Sequence, residues 1–400
     1  MMLSGRRVLF PKESGPRAAS EGALLLALLL AVLFWPRMLP GQTAAPPQET
    51  TTKPPEDAAK DGKDKKYKPF FIFLPDVSYR PETKLGFVLG GFARYRLGKN
   101  KERTRPSSLG LTFAYTMNNQ MRIGLRPEVY FPGNTYILNG NLSYSYWPTV
   151  FFGIGNNNPA SAAESFTPKT VNFLLSLKRK LRESFFAGIE YQFRKTTIEA
   201  VEPGSLLSSG TIPGSQGGIM SGIGFNLTSD TRDNIFFPHR GRLIIFSADF
   251  LGGLFGSDYR YSAFRLDMRA YLPVFGKNVL AFQALVRTVA GTAPFYDLSS
   301  LGGSNIMRGL FAGQYSDKSM VVLQSELRIH VWWRFGAAVF AGTGDVAPTL
   351  TSFTFNPFKY SLGGGIRFLI DKRENSNIRL DYAVANGGSN AFYFTILEAF

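Results

Sequence analysis

Cysteine is absent from the 400 residues, and histidine occurs only twice, at His239 and His330. The first absence excludes disulfide staples and thiolate metal sites. The second leaves too few imidazoles for a histidine-built metal centre. No phosphate-cradling Walker loop is present, and no complete Gly-x-Ser-x-Gly elbow. Gly302-Gly303-Ser304-Asn305 and Gly387-Gly388-Ser389-Asn390 come nearest, lack the closing glycine and read as turns. Neither histidine has a serine and an acid at a defined spacing, so no cofactor, metal or catalytic group is expected and the chain does not read as an enzyme. Also missing is an apolar run long enough for a membrane-spanning helix. The longest, Ala23–Trp35, has about a dozen residues where roughly 20 are needed. From Phe70 onward no segment carries a helical period.

What is plentiful points elsewhere. Aromatics make up 14% of the chain and glycines number 41, a mixture that suits a barrel with aromatic girdles and tight turns. The formal charge is +16, and residues 1–69 carry 11 basic and 7 acidic side chains, so about +12 belongs to the rest. Beyond that point the arginines are spread singly through alternating segments and form no clustered patch, so nucleic acid is not an expected partner. A wet, basic lumen and rim accounts for them; the functional alternative is attraction for anionic lipid head groups or acidic client segments. At the front, Arg6, Arg7, Lys12 and Arg17 precede the apolar run, and Thr43-Ala44-Ala45 offers small residues for cleavage. Residues 1–45 therefore read as a secretory signal. Residues 46–69 are rich in Pro, Thr, Lys and Asp and read as a disordered linker, with no room for a folded domain before the first strand.

The dominant pattern from residue 70 to residue 400 is alternation. Met121, Ile123, Leu125, Val129 and Phe131 are interleaved with Arg122, Arg126 and Glu128. Phe264, Leu266, Met268, Ala270 and Leu272 are interleaved with Arg265, Asp267 and Arg269. One face is continuously apolar and the other carries charge, which a membrane barrel presents outward and inward respectively. About sixteen such segments can be counted, centred between Phe73 and Ile396. The expected fold class is all-β: a transmembrane antiparallel β-barrel with periplasmic termini. Connections after even strands are short, at Pro132-Gly133-Asn134, Arg182-Glu183, Pro273 to Lys277 and Val331-Trp332. Several after odd strands are long, over 148–168, 198–216, 291–317 and 343–357, as in bacterial outer-membrane barrels. The last segment places Phe392, Phe394, Ile396 and Phe400 on one parity, the pattern of a C-terminal insertion signal, although Glu398 falls on the same face.

Four motifs add specificity. Met307-Arg308-Gly309-Leu310 sits in the long loop between the eleventh and twelfth strands. Asp230-Thr231-Arg232-Asp233 with Pro238 and Gly241 occupies the turn after the eighth. Ser78 to Gly86 opens the barrel, and Gly153-Ile154-Gly155-Asn156 follows the fifth strand. In order and placement these resemble the BamA/TamA-type outer-membrane assembly family (bacterial surface antigen superfamily), in its compact members without POTRA domains.

The resemblance implies a loop arginine, Arg308 with Gly309 and Leu310, reaching into the lumen to meet acids on the following strands. Glu326, lumen-facing by parity, is the matching acid. The family's second acid falls at Gly342 here, with Asp345 three residues on. It further implies a bacterial outer-membrane location and a lateral seam between the first and last strands that passes clients. Its partners would be outer-membrane lipids including lipopolysaccharide, the barrel-assembly machinery for its own insertion, and unfolded outer-membrane proteins or lipids as clients. Two other readings are a passive pore or structural barrel, and a barrel-borne lipid-modifying enzyme. The Asp230/Asp233 pair reads as a turn held by Arg232, with cation binding the alternative.

Overall fold

The computed structural model describes residues 70–95, 97, 104, 107–354, 358–371 and 376–400. The expected signal and linker, residues 1–69, lie outside them. Sixteen strands form the wall: β1 (Phe70–Arg80), β2 (Lys84–Tyr95), β3 (Ser107–Thr116), β4 (Met121–Tyr130), β5 (Tyr136–Tyr146), β6 (Glu164–Arg182), β7 (Phe185–Val201), β8 (Gly218–Asp230), β9 (Gly241–Leu251), β10 (Arg260–Val274), β11 (Asn278–Thr292), β12 (Ser319–Trp332), β13 (Phe335–Ala347), β14 (Lys359–Asp371), β15 (Ser376–Ala385) and β16 (Asn390–Ile396). Each pairs antiparallel with its neighbour in sequence, and β16 returns to β1, closing the barrel. With an even count, both ends of the wall lie on the periplasmic side.

Alternation dictates which side each residue faces. Phe87, Leu111, Ile189 and Phe225 point outward and stay roughly half exposed, whereas Asn226, Asp267, Glu326 and Asp381 point inward and are buried. At the periplasmic rim Trp332, Trp333, Phe335 and Phe368 pack ring against ring. That is the place of an aromatic girdle at the membrane–water interface.

Several strands run further than the alternation suggests. β6 and β7 span 19 and 17 residues, well beyond the roughly 9–11 that cross a bilayer. The loops around them shrink accordingly, to 147–163 and 202–217, because backbone pairing continues above the membrane where apolar alternation is no longer required. Two expected turns shift the same way. The turn after β6 is Glu183-Ser184, and that after β12 is Trp333-Arg334, with Trp333 at φ 51°. A register shift between His330 and Trp332 accommodates the extra pairing.

Closure is uneven. All of β16 pairs with β15, from Ile378↔Ile396 to Val384↔Asn390. Against β1, among the described residues, it registers at Tyr79↔Phe394 alone. On the outer face Tyr79 and Phe392 rings lie 6.1 Å apart.

The last four residues depart from the expectation. Phe392 and Ile396 face outward as anticipated, and Phe394 with them, but Leu397 adopts φ 67° and ends the alternation. Phe400 does not share their face. It is buried among Tyr271, Val279 and Ala281, and its backbone oxygen accepts a hydrogen bond from Arg328 at 2.8 Å. Glu398, which looked misplaced on an apolar face, lies inside beside Arg367 at 2.9 Å. Its charge explains the turn, because a carboxylate facing lipid would be far costlier than one beside a guanidinium.

Candidate functional site

The loop of residues 293–318 between β11 and β12 folds down into the lumen. Ser299–Ser300 pairs with Ser316–Asp317 to narrow its neck, and Gly155 of the β5–β6 loop bridges to Ser316. Below the neck Leu301, Met307 and Leu310 are fully buried against Leu285, Val322, Val346 and Ala385. Burying three large apolar side chains at ~1.5–3 kcal/mol each holds the tip inward before any charge is considered.

At that tip Arg308 spans two acids. Its Nη2 lies 2.5 Å from Glu326 Oε2, and its Nη1 lies 2.6 Å from Asp381 Oδ2. The guanidinium plane stacks 3.3 Å from the centroid of Phe340. The structure thus brings Arg308 and Glu326 together, and Asp381 on β15 stands as the second acid. Gly342 explains why β13 does not supply it: a Cβ there would lie 3.0 Å from Met307 Sδ, so the loop's own methionine occupies that space. Asp345, the one acid on β13, instead accepts from Asn156 Nδ2 at 3.2 Å. On β14, Gly365 faces Asp381, and any side chain there would collide with its carboxylate.

The acids are shared. Glu326 also meets Arg328 Nε at 2.8 Å and Arg367 Nη2 at 3.5 Å. Asp381 meets Arg367 Nη1 at 2.5 Å and Arg379 Nε at 3.5 Å. Together with Glu398, three carboxylates serve four guanidiniums, and the exposed fraction of these seven side chains nowhere exceeds 4%. Such burial is tolerable only with this density of charge-assisted hydrogen bonds.

Neutral contacts tie the loop to the barrel's closing strands. Gly309 N–H donates to Tyr393 Oη on β16 at 3.0 Å, and Ser389 Oγ, in the β15–β16 turn, donates to Gly309 O at 2.7 Å. On the other side of the junction, Ala312 N–H donates to Glu82 Oε1 in the β1–β2 turn at 2.9 Å. The loop therefore touches both sides of the β1–β16 junction. The Leu310 side chain is part of the apolar plug, while its backbone carbonyl accepts from Gly303 N–H at 3.0 Å.

The turn motif forms a separate unit at the periplasmic rim. Arg232 grips Asp230 through Nε at 2.9 Å and Nη2 at 2.8 Å. Burial lowers the Arg232 pKa, but the Asp230 contacts outweigh it and hold the guanidinium above its ordinary value. Asp233 Oδ1 accepts from the His239 and Arg240 amides at 2.9 and 3.3 Å. Pro238 is buried, and Gly241 has φ 107°. The two aspartates are thus engaged separately, as turn builders, and among the described residues no acidic or histidine cluster suited to a metal is found. His330 sits at the end of β12, its amide donating to Asn278 Oδ1 at 2.9 Å.

Sequence reasoning did not reach Asp381, Arg367, Tyr393 or Phe340 as members of the site. Arg379 and Asp381 alternate with Ile378, Leu380 and Tyr382, so parity alone puts both charges on the lumen face of one strand. What tied Asp381 to Arg308 was a contact across 73 residues of chain, which no local period encodes.

A sequence profile described as the Omp85 superfamily domain matches residues 102–400. Among solved structures, the chain is similar to BamA from Haemophilus ducreyi lacking POTRA domains 1–3, at 16% identity and TM-score 0.60. That match covers 82% of this chain and 70% of the other. It is also similar to CdiB from Acinetobacter baumannii, at 12% identity and TM-score 0.54, over 82% of this chain and 59% of the other. At these identities the likeness is one of fold. No curated protein matches it in sequence.

Proposed function

Since the chain belongs to the Omp85 superfamily and is an outer-membrane β-barrel, we propose that it inserts or translocates client β-segments or lipids through the junction between β1 and β16, with the 293–318 loop as its lid. The observation that carries this reading is the junction itself. β16 pairs along its whole length with β15 and at one position with β1. A strand edge left largely unpaired is a template for another strand, and inside a bilayer it has no water to satisfy it. Arg308, held by Glu326 and Asp381, would keep the lid seated while the junction is closed. Barrel-assembly machinery would act on the chain during its own insertion. Unfolded outer-membrane proteins or lipids, lipopolysaccharide included, are the client classes.

The test is a lock. Tyr79→Cys with Phe394→Cys places one thiol on each side of the junction. In cells lacking the native gene, the oxidised pair is expected to lose complementation and the reduced pair to regain it. Full complementation by the crosslinked form would rule out lateral opening and leave the passive-pore reading. That second reading draws support from the exposed arginines Arg80, Arg122 and Arg126 on the lumen face of β1 and β4. It predicts anion-selective conductance in planar bilayers whether or not the junction is locked.

A further inference from the structure

On the membrane-facing surface of β9–β13 the wall is dented. Ile244, Met268, Ala284, Leu323 and Thr343 stand side by side across the five strands, and so do Arg242, Ala270, Phe282, Ser325 and Ala341 one step nearer the periplasm. Both rows face outward, yet Met268 and Ala284 are only 7% and 8% exposed. Equivalent positions on the opposite wall, such as Leu111 and Ile189, are at least half exposed. The small side chains of Ala270, Ala284, Ser325 and Ala341 form a low strip. Bulkier rows flank it, with Phe246, Leu266 and Val286 on one side and Leu272, Leu280 and Leu327 on the other. The result is a cavity of about 460 Å³, lined by both rows and within the size range of ligand pockets, roughly 300–1,000 Å³.

Its direction and its one charge identify the occupant. Arg242 is the second residue of β9, beside the periplasmic turn, whereas Ala341 is midway along β13. The cavity thus climbs obliquely from the periplasmic head-group level towards the bilayer centre. Arg242 is exposed at its lower end, and among the described residues its guanidinium has no hydrogen-bond or ion-pair partner. An unpaired guanidinium at the interface, below an apolar channel facing hydrocarbon, matches an anionic head group with an attached acyl chain. We propose that this dent is a seat for an anionic phospholipid of the periplasmic leaflet, with its phosphate on Arg242 and one acyl chain along the Ala270–Ala284–Ser325–Ala341 strip.

The test uses the full purified barrel in phosphatidylethanolamine nanodiscs doped with phosphatidylglycerol carrying a diazirine at the end of one acyl chain. Photolabelling is expected to concentrate on the β11–β13 peptides holding Ala284, Ser325 and Ala341. It should fall about tenfold, which corresponds to ~1.4 kcal/mol, in Ala284→Phe, which fills the strip, and in Arg242→Glu, which repels the phosphate. Heat-shifted gel mobility checks that each variant is folded. Arg242→Glu decides alone if Ala284→Phe does not fold, because its side chain supports no other residue. Equal labelling all round the lipid-facing belt would overturn the proposal. So would preferential labelling by a diazirine lipid A, or crosslinking of this face to a second copy of the chain.

Discussion

Under the lid, four arginines, Arg308, Arg328, Arg367 and Arg379, are almost wholly buried, and each lies within 3.5 Å of a carboxylate. Elsewhere on the lumen face, on β1 and β4, Arg80, Arg122 and Arg126 are exposed. Arg122 stacks 4.6 Å over Trp147, and no carboxylate pairs with any of the three among the described residues. The residue type and the luminal position are the same; the difference is water. Where the lid excludes it, each guanidinium must find an anion or lose several kcal/mol of solvation. Where the lumen stays wet, like charges can stand together, screened within about 8–10 Å.

The sharpest way to break this contrast is Glu326→Ala. Glu326 contacts Arg308, Arg328 and Arg367, so its loss leaves two carboxylates for four guanidiniums. A cost of ~3–5 kcal/mol is expected, seen as a lowered temperature for the gel-mobility shift. An unchanged transition would mean that the lid half is as wet as the other.

Arg308→Ala should cost less, ~1–3 kcal/mol, because it leaves three guanidiniums for three carboxylates. The wall should stay folded while the lid becomes protease-sensitive on intact cells. Adding Arg308→Ala to Glu326→Ala should cost little more than Glu326→Ala alone, and simple additivity would show the two side chains to be energetically independent.

Glu398→Ala comes next, at ~1 kcal/mol, since Arg367 keeps Asp381. Its readout is local: faster carboxypeptidase trimming of the tail, with the lid unaffected. Arg126→Gln, in the wet half, should change stability by less than ~0.5 kcal/mol, while weakening any anion selectivity of the lumen. A large loss of stability there would erase the distinction between the halves.

Much of the barrel was legible because a period of two assigns every residue a side. Strand number, lumen-facing Glu326 and the loop bearing Arg308 all follow from that period and from motif order. The same period could not reveal which half of the lumen is filled. It assigns Arg122 and Arg379 alike to the inside, and the distinction depends on where a loop comes to rest. It also misled at Phe400. Parity continues through Leu397 on paper, but one residue at φ 67° resets it. The second acid was hidden for a related reason: a search for it along β13 finds Gly342, while Asp381 reaches the same guanidinium from two strands away.

The lid's hydrogen bonds to Tyr393 and Ser389 on one side of the β1–β16 junction and to Glu82 on the other make lid and junction a thermodynamically linked pair. Linkage is reciprocal: if parting the junction loosens the lid by some factor, pulling the lid outward loosens the junction by that same factor. The hypothesis can be checked with the Tyr79→Cys/Phe394→Cys lock, which should slow proteolysis of the lid; unchanged cleavage would show the two to be independent. Under such coupling, a ligand gripping the loop from outside the cell and a strand invading from the bilayer would each alter the other's affinity without ever meeting.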